Sequence, residues 1–248
     1  MERTDNGIIF GRNAVFELFD SDVTVNSVYI AENSPIKAKA VALAKKKGCS
    51  LKEVKAEKLS SLSGGGNHQG IVATVSEAEY KSLDELFSVS SERGEKPFFI
   101  LLDSVEDPHN LGAVIRTAEC AGAHGVIIEK RHSALVSDTV VKTSAGAALH
   151  LPICRVSNAA SALREMKEKG VWVVGADMNG EDYRKIDLDM PVCLVIGSEG
   201  KGMKRIIREE CDFIASIPQF GKINSLNASV AAALLIYEVV RSRKLGEG

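Results

Sequence analysis

The regular alternation of strand-like and helix-like segments after residue 96 restricts the fold more than any other feature of the sequence. Residues 98–102 read Phe-Phe-Ile-Leu-Leu, a continuous apolar run that is typical of a strand buried on both faces. Further strands are predicted at 125–128, 151–155, 171–174, 191–196 and 211–217, with helical segments between them. Such alternation predicts an α/β domain with a mainly parallel sheet, whose ligands bind beyond the carboxyl ends of the strands.

The first part of the chain has a less regular pattern, which predicts a separate, small α/β domain. Apolar and β-branched residues favour strands over Val25–Ala31, Ser50–Val54 and Ile71–Val75. The following residues are charged and serine-rich around one short helix, as is typical of a linker. The sequence thus predicts a domain over 1–76, a linker over 77–96 and a second domain over 97–248.

The charge balance excludes a strongly basic protein. The chain of 248 residues has 31 Lys and Arg against 33 Asp and Glu, a net charge of −2. A nucleic acid would therefore have to be held by a local basic patch. Such basic runs are more often plain solvated surface. The candidate phosphate contacts are Lys45, Lys46, Lys47, Lys201, Lys204, Arg205 and Arg208.

The cysteines and the first residues indicate a reducing compartment. The five cysteines are widely spaced and contain no CxxC pair, which favours free thiols and predicts no metal. Residues 1–6 have no apolar signal segment, and no apolar run reaches membrane-spanning length. We expect a cytoplasmic protein with no membrane partner.

Polar loops follow three of the predicted strands and are expected to meet at one edge of the sheet. The loop 103–112 leads into a helix with Arg116, the loop 197–203 contains three glycines, and the loop 217–227 leads into an apolar helix. Glycines allow a backbone to approach a ligand closely. The second loop lacks the Gly-Lys-Ser/Thr of a phosphate loop, and no GxGxxG joins a strand to a helix. Nucleoside triphosphate and ordinary dinucleotide binding are therefore disfavoured.

The apolar helix after the third loop has two polar residues at its start. Residues 228–237 are apolar nearly all round, which predicts a buried helix. Ser225 and Asn227 lie where its free N–H groups and partial positive charge would suit a ligand. The ordinary alternative is that one of them only caps the helix.

Three other polar candidates also have ordinary interpretations. Arg116 could form a surface ion pair with a nearby glutamate, Glu106 or Glu119. Glu199 could stabilise the N-terminus of the helix that follows it. His68, beside a run of glycines, could be a surface histidine of the loop.

Several of these residues occur in motifs of one family. Asp107-Pro108-His109-Asn110-Leu111-Gly112 with Arg116, then residues 195–200 (VIGSEG), then Ile217-Pro218 and residues 225–231 (SLNASVA) resemble the three motifs of the SpoU (TrmH-type) RNA 2′-O-methyltransferases, in order. Residues 11–15 and 68–70 resemble the RNA-binding extension of that family, so the resemblance covers nearly the whole chain. The arrangement is most similar to the RlmB-like group, whose members methylate a guanosine ribose in 23S ribosomal RNA.

The resemblance implies a fold, a cofactor and partners that the residue patterns do not show. The C-terminal sheet would end in a deep trefoil knot (SPOUT-type), although general rules disfavour knots. The knotted loops would bind S-adenosylmethionine, with no metal. The domain would form a homodimer in which both copies contribute to the active site. The substrate would be RNA, most directly ribosomal RNA, and not DNA.

The resemblance also implies three sets of site residues, carried over position by position. The catalytic set is Asn110, Arg116, Glu199, Ser225 and Asn227. The cofactor-binding set is Gly175, Ile196, Gly197, Gly200, Ile217 and Leu226. The RNA-binding set is Arg12, Asn13, His68 and Gln69.

The role of Arg116 needs a physical interpretation. The family reading makes it the base that activates the ribose hydroxyl, but a guanidinium stays protonated in proteins. We expect Arg116 to bind a phosphate or to stabilise the developing alkoxide, while solvent or phosphate assists loss of the proton.

Two alternatives to a ribosomal RNA methyltransferase follow from the same residues. The catalytic half does not exclude transfer RNA as the substrate, because the N-terminal domain would select the RNA. A non-catalytic RNA-binding or assembly factor would keep the fold, but we would expect altered motif residues, and all five catalytic candidates are present.

Overall fold

The chain forms two compact units, Met1–Glu79 and Tyr80–Gly248. The computed structural model describes residues 3–4, 7–20, 25–75, 79–222 and 225–245. Among these residues, no helix is both long and apolar enough to cross a membrane.

In its described residues, the first unit is a five-stranded mixed sheet with three helices. Its elements are β1 Arg3–Thr4, β2 Ile8–Phe10, α1 Arg12–Asp20, β3 Val25–Ala31, α2 Lys37–Lys47, β4 Ser50–Val54, α3 Ala56–Leu62 and β5 Ile71–Val75. The strand order is β1-β2-β5-β3-β4, with only β3 and β4 parallel. The central strands are held together by fully buried side chains such as Val28, Ile30 and Ile71. Strand β2 is not predicted by the sequence, because three residues are too few to show an alternating pattern.

The second unit contains the remaining strands and α-helices. These are β6 Tyr80–Lys81, α4 Leu83–Arg93, β7 Phe98–Asp103, α5 Pro108–Cys120, β8 Gly125–Glu129, α6 Asp138–Thr143, β9 Ile153–Val156, α7 Ala159–Glu168, β10 Trp172–Asp182, β11 Val192–Gly197, α8 Arg205–Glu210, β12 Phe213–Ser216 and α9 Ala228–Leu245.

All seven strands of this unit pair in parallel, which confirms the predicted α/β fold. The order is β12-β10-β11-β7-β8-β9-β6. Every residue of β7 is buried, as its continuous apolar run predicts. The chain continues from β7 to β8 on one side, whereas β11 pairs with β7 on the other. The carboxyl ends of β7 and β11 therefore form a topological switch point, where open α/β sheets bind ligands.

The segment 77–96, expected as a linker, is largely part of the second unit. Residues 77 and 78 lie outside the described residues, but β6 pairs with β9, and α4 packs on the sheet through the buried Leu86. Ser82 and Glu85 form a capping box at the start of α4. The charged and serine-rich composition reflects the exposed face of α4, and it obscured the apolar residues of the other face.

Helix α9 is buried on one side only, in contrast to the expectation from its composition. Ala232, Leu235 and Ile236 are fully buried. Val230, Leu234 and Tyr237 are 47%, 40% and 51% exposed. These three residues are spaced four and three apart, so they form one apolar stripe on the exposed face of the helix.

Candidate active site

A cavity of about 530 Å³ lies at the switch point of the second unit. The loops after β7 and β11, one residue after β8 and the start of α9 contribute to its walls. The lining residues are Ser104, Val105, Glu106, Asp107, Asn110, His132, Ser198, Glu199, Lys201, Gly202, Met203, Lys204 and Ala228. Its volume is in the range of small-molecule sites in proteins.

The centre of the site is a hydrogen-bonded cluster of Asn110, Glu199 and Asn227. Asn110 Nδ2 donates to Glu199 Oε1 at 2.9 Å, and Asn227 Nδ2 donates to Asn110 Oδ1 at 3.0 Å. Asn227 Nδ2 also donates to Glu199 Oε1. The three polar loops expected to meet at this edge therefore meet through these side chains, and the two amides orient one carboxylate.

Helix N-termini place both asparagines. Asp107 caps α5 by accepting a hydrogen bond from His109 N at 3.0 Å, and Pro108 occupies the first turn. This start puts Asn110 in the first turn, where it is buried. Asn227 Oδ1 accepts from Ser229 N at 2.9 Å and so caps α9. Asn227 thus fulfils the ordinary capping role and also joins the cluster.

Glu199 stabilises a different helix from the one that follows it in sequence. Its Oε1 accepts a 3.4 Å hydrogen bond from the backbone N–H of Ala228, the first residue of α9. The ordinary interpretation of the sequence predicts that the Glu199 carboxylate stabilises the next helix, α8. The carboxylate belongs to the distant helix because parallel strands bring the loop after β11 beside the loop before α9.

The turn that carries Glu199 is closed on itself. Ser198 N donates to Gly202 O at 3.2 Å, and Gly202 N donates to Ser198 O at 2.9 Å. A side chain at Gly197 would put its Cβ 2.3 Å from the carbonyl carbon of Gly202, so this position admits only glycine. The glycines therefore allow a tight turn, which is a different use from the phosphate loop excluded by the sequence.

Asp103, the last residue of β7, is a functional candidate that the sequence analysis missed. It is fully buried, and its carboxylate accepts hydrogen bonds from Ser104 Oγ at 3.0 Å and from the backbone N–H of Lys204 at 2.6 Å. Lys204 Nζ lies 3.0 Å from Asp103 Oδ1 and 2.6 Å from Glu129 Oε2. A buried carboxylate needs such partners. The one signal for this role in the sequence is the position of the aspartate at the end of an apolar strand.

The Lys204 ammonium is therefore paired with carboxylates of the same chain, those of Asp103 and Glu129. Burial lowers the pKa of the Lys204 amine, but hydrogen bonds to Glu129 and Asp103 raise the pKa by more, so that it lies above the ordinary lysine value. Two other cations proposed as phosphate contacts also have acidic partners. Arg205 pairs with Glu209 at 3.1 Å, and Arg208 pairs with Asp177 at 2.8 Å.

Arg116 and Ser225 are not brought into the cluster. Arg116 is exposed on α5 and is absent from the cavity walls. Within the described residues it forms neither of the ion pairs considered as alternatives. Glu106 Oε1 instead lies 3.8 Å from His132 Nδ1, and both residues line the cavity. Ser225 is exposed next to the cluster, two residues before Asn227.

None of the six cofactor candidates is among the residues that line the cavity. Gly197 ends β11, Gly200 lies in the turn that follows, and Leu226 directly precedes Asn227 and is 38% exposed. The others lie on or after neighbouring strands: Gly175 in β10, Ile196 in β11 and Ile217 after β12. Within the described part of the chain, no group of three or more His, Cys, Asp or Glu is arranged to hold a metal ion.

The RNA-binding candidates of the first unit are brought together at one loop. Arg12 N donates to Gln69 Oε1 at 3.1 Å, and the side chains of Arg12 and Asn13 are exposed. His68 Nδ1 accepts from Gly70 N at 3.1 Å, so the ring proton is on Nε2, which is 3.2 Å from Ser60 Oγ. The glycine-rich segment is therefore a folded loop in which His68 has a structural role.

Two family patterns match the chain. The pattern of the SpoU rRNA Methylase family matches residues 97–237. The pattern for RNA 2′-O ribose methyltransferase substrate binding matches residues 8–81.

Individual relatives are similar over nearly the full length. YacO of Bacillus subtilis (strain 168), assigned to the TrmH family of tRNA/rRNA methyltransferases, is 49% identical over 239 residues, covering 95% of this chain and 95% of YacO. The SpoU methyltransferase AviRb from Streptomyces viridochromogenes, solved with the cofactor AdoMet, is 26% identical with a TM-score of 0.62, covering 96% of this chain and 91% of AviRb. An AdoMet-bound rRNA methyltransferase from Sinorhizobium meliloti is 29% identical with a TM-score of 0.61, covering 95% and 87%.

Proposed function

The chain belongs to the SpoU rRNA Methylase family, and on this premise we propose that it transfers a methyl group from S-adenosylmethionine to a ribose 2′-hydroxyl of RNA. The proposed target is a guanosine of 23S ribosomal RNA. The cluster of Asn110, Glu199 and Asn227 carries this proposal. Its members are 89 and 28 residues apart in sequence, yet they form one hydrogen-bonded group at the wall of a ligand-sized cavity.

The residues around the cavity fit S-adenosylmethionine. The cofactor would supply a methyl group on a positively charged sulfur, and the Glu199 carboxylate gives the site a compatible negative charge. We assign the cofactor to the loops that carry Gly197, Gly200, Ile217 and Leu226, with Gly175 and Ile196 in the strands beneath. The AdoMet complexes of AviRb and of the Sinorhizobium meliloti enzyme support S-adenosylmethionine as the cofactor.

We assign the ribose of the target nucleotide to the cavity beside the cluster. A 2′-hydroxyl is a weak nucleophile, so it must be oriented before it can react. Asn110 and Asn227 are held by Glu199 and would fix the ribose by hydrogen bonds, with Ser225 beside them. Because these groups are already oriented in the protein alone, little reorganisation would be needed on binding.

Arg116 would act from a second copy of the chain. Its exposed position on α5, away from the cavity walls, supports a role in the cavity of a partner subunit. There it would bind the phosphate next to the target ribose, or stabilise the alkoxide as it forms. The proton would leave to solvent or phosphate, since the guanidinium cannot accept it.

A homodimer is therefore part of the proposal. The apolar stripe of Val230, Leu234 and Tyr237 on α9 supports it, because a contiguous exposed apolar face on a helix is typical of an interaction surface. The family's deep trefoil knot is proposed for the second unit on the basis of family membership alone.

The first unit would select the RNA. The match to the family's substrate-binding pattern supports this role, and the folded loop with Arg12, Asn13, His68 and Gln69 is the proposed contact. Lys45, Lys46 and Lys47 on α2 and Lys201 beside the cavity would add phosphate contacts.

The test is methyl transfer from labelled S-adenosylmethionine to unmodified 23S ribosomal RNA and, in parallel, to bulk transfer RNA. Label at one alkali-resistant guanosine of ribosomal RNA is the expected result. Label in transfer RNA alone would keep the reaction and overturn the proposed substrate. Bound cofactor without transfer to either RNA would favour the non-catalytic factor.

Substitution Arg116→Ala tests the proposed role of the arginine. We expect the rate of methyl transfer to fall about 10³-fold, because a charge-stabilising group of the transition state is lost, while S-adenosylmethionine binds as before. Arg164→Ala, which removes a surface ion pair with Glu210, is the matched control. Turnover retained in Arg116→Ala would contradict the assignment.

A further inference from the structure

The buried carboxylate of Asp103 connects three parts of the second unit. Asp103 ends β7, Glu129 ends β8, and Lys204 lies between β11 and α8. The Lys204 ammonium reaches both carboxylates, at 3.0 and 2.6 Å. The three groups therefore fasten the segment after β11 to the carboxyl ends of two other strands.

This connection is made at the end of the turn that carries Glu199. The turn is closed at its start, where Gly197 packs against the backbone of Gly202. At its other end the backbone N–H of Lys204 donates to Asp103 Oδ2 at 2.6 Å. Residues 198–203 are thus held at both ends, and they include four lining residues of the cavity besides Glu199.

Ser104 shows that the backbone beside Asp103 is held in a constrained conformation. Its φ is +60°, in the left-handed region that non-glycine residues rarely adopt. Its Oγ donates to Asp103 Oδ1 at 3.0 Å, and the residue lines the cavity. Such strain persists only where surrounding contacts determine it, and it is concentrated at functional sites.

We infer that Asp103 is a positioning residue for the methyl-transfer reaction: acting through Lys204 and Ser104, it holds the turn 197–203 in the conformation that binds S-adenosylmethionine and presents Glu199. This inference rests on the proposed function. Asp103 itself contacts no reacting atom, because its carboxylate is fully buried behind the turn.

The test compares Asp103→Asn with the wild-type protein by calorimetric binding of S-adenosylmethionine and by steady-state kinetics. Asparagine keeps the shape but cannot accept from both the Lys204 ammonium and the backbone. We expect the Kd and KM for S-adenosylmethionine to rise about tenfold, as for loss of a hydrogen bond to a charged group. The KM for RNA should stay within about twofold, and amide hydrogen exchange should quicken at residues 198–204.

Two further variants provide a second test of the inference and a control. Lys204→Met removes the ammonium but keeps the backbone donor, so it should raise the Kd for S-adenosylmethionine by a smaller factor, about threefold. Asp189→Asn removes an exposed ion pair with Lys96 and should leave the Kd unchanged. A folded Asp103→Asn protein with wild-type KM for S-adenosylmethionine would overturn the inference, whether or not its melting temperature falls. No binding by the wild-type protein would instead count against the proposed function.

Discussion

Polar side chains lie at both ends of the seven-stranded sheet, but their partners differ between the two ends. At the carboxyl ends, Asp103, Asn110 and Glu199 are arranged around a cavity and hold loops. At the amino ends, His124 and Arg243 bind backbone groups of the segments that enter the strands. The difference separates groups that prepare a site from groups that stabilise the fold.

His124 shows the stabilising arrangement most simply. It is fully buried, and its Nδ1 accepts from Phe98 N at 3.0 Å. The proton is therefore on Nε2, which donates to Glu95 Oε2 at 2.9 Å. One ring thus joins the start of β7 to the segment after α4.

Arg243 near the end of α9 does the same with backbone carbonyls. Its guanidinium donates to Lys96 O and Pro97 O, both at 2.9 Å, and to Met190 O at 3.0 Å. The partners precede β7 and β11, so one cation fastens both central strands at their beginnings. Neither His124 nor Arg243 lines the cavity at the opposite end.

The strongest test of this difference between the two ends of the sheet is whether Glu199 serves the reaction or the stability of the fold. Glu199→Gln keeps the size of the side chain but loses the carboxylate that accepts from Asn110 and Asn227. We expect methyl transfer to fall about 10²–10³-fold, while the free energy of unfolding changes by less than about 1 kcal/mol. Steady-state kinetics and urea unfolding measure the two effects. Glu168→Gln, at an exposed position of α7, is the control, and the opposite pattern would contradict our assignment of the two ends.

Arg243→Met tests the other end of the sheet. The substitution leaves three carbonyl groups without their charged donor, so we expect the free energy of unfolding to fall by about 2–3 kcal/mol. The KM values for S-adenosylmethionine and RNA should not change in the folded protein. Arg205→Met, which removes an exposed pair with Glu209, should cost less than about 1 kcal/mol. A changed KM in Arg243→Met would show that the two ends are coupled.

The smallest expected effect is a pH dependence that originates at His124. Burial lowers the pKa of His124 below its usual 6.5, although the hydrogen bond to Glu95 acts in the opposite direction. The unfolded chain therefore binds a proton at higher pH than the folded chain does. The stabilising contribution is complete above about pH 6.5 and is lost as the pH falls below that value.

Urea unfolding between pH 7.5 and 5.5 measures this contribution. His124→Gln keeps an acceptor and a donor but does not titrate, so its stability should decline less over the same range. Equal declines in the two proteins would assign the pH dependence to other groups.

The sequence predicted the fold of the second unit because its signals are local. Buried strands such as β7 show as continuous apolar runs, and the start of α5 shows as an aspartate followed by proline. The meeting of three polar loops also followed, since parallel strands end at the same edge of a sheet. The short strand β6 and the extent of α4 did not follow, because the charged face of α4 dominated the composition of its segment.

The polar contacts of the site were predictable only in part. Motif resemblance predicts Asn110, Glu199 and Asn227 as site residues, and their hydrogen bonds bring the motifs together. The sequence does not indicate Asp103, because its partner Lys204 is 101 residues away. It predicts Lys204 as a phosphate contact, because a lysine beside glycines shows no sign of a buried carboxylate.

By itself the sequence determined the parallel sheet, the helix starts and the loops that carry the chemistry, because those depend on residues within a few positions of one another. Only the tertiary structure decided which charged groups form ion pairs within the chain and which stay exposed. Lys204 is neutralised by Asp103 and Glu129, whereas Arg116 lies exposed on α5. The physical reason is that strand order, and not sequence spacing, sets the distances between side chains at the carboxyl ends of the sheet.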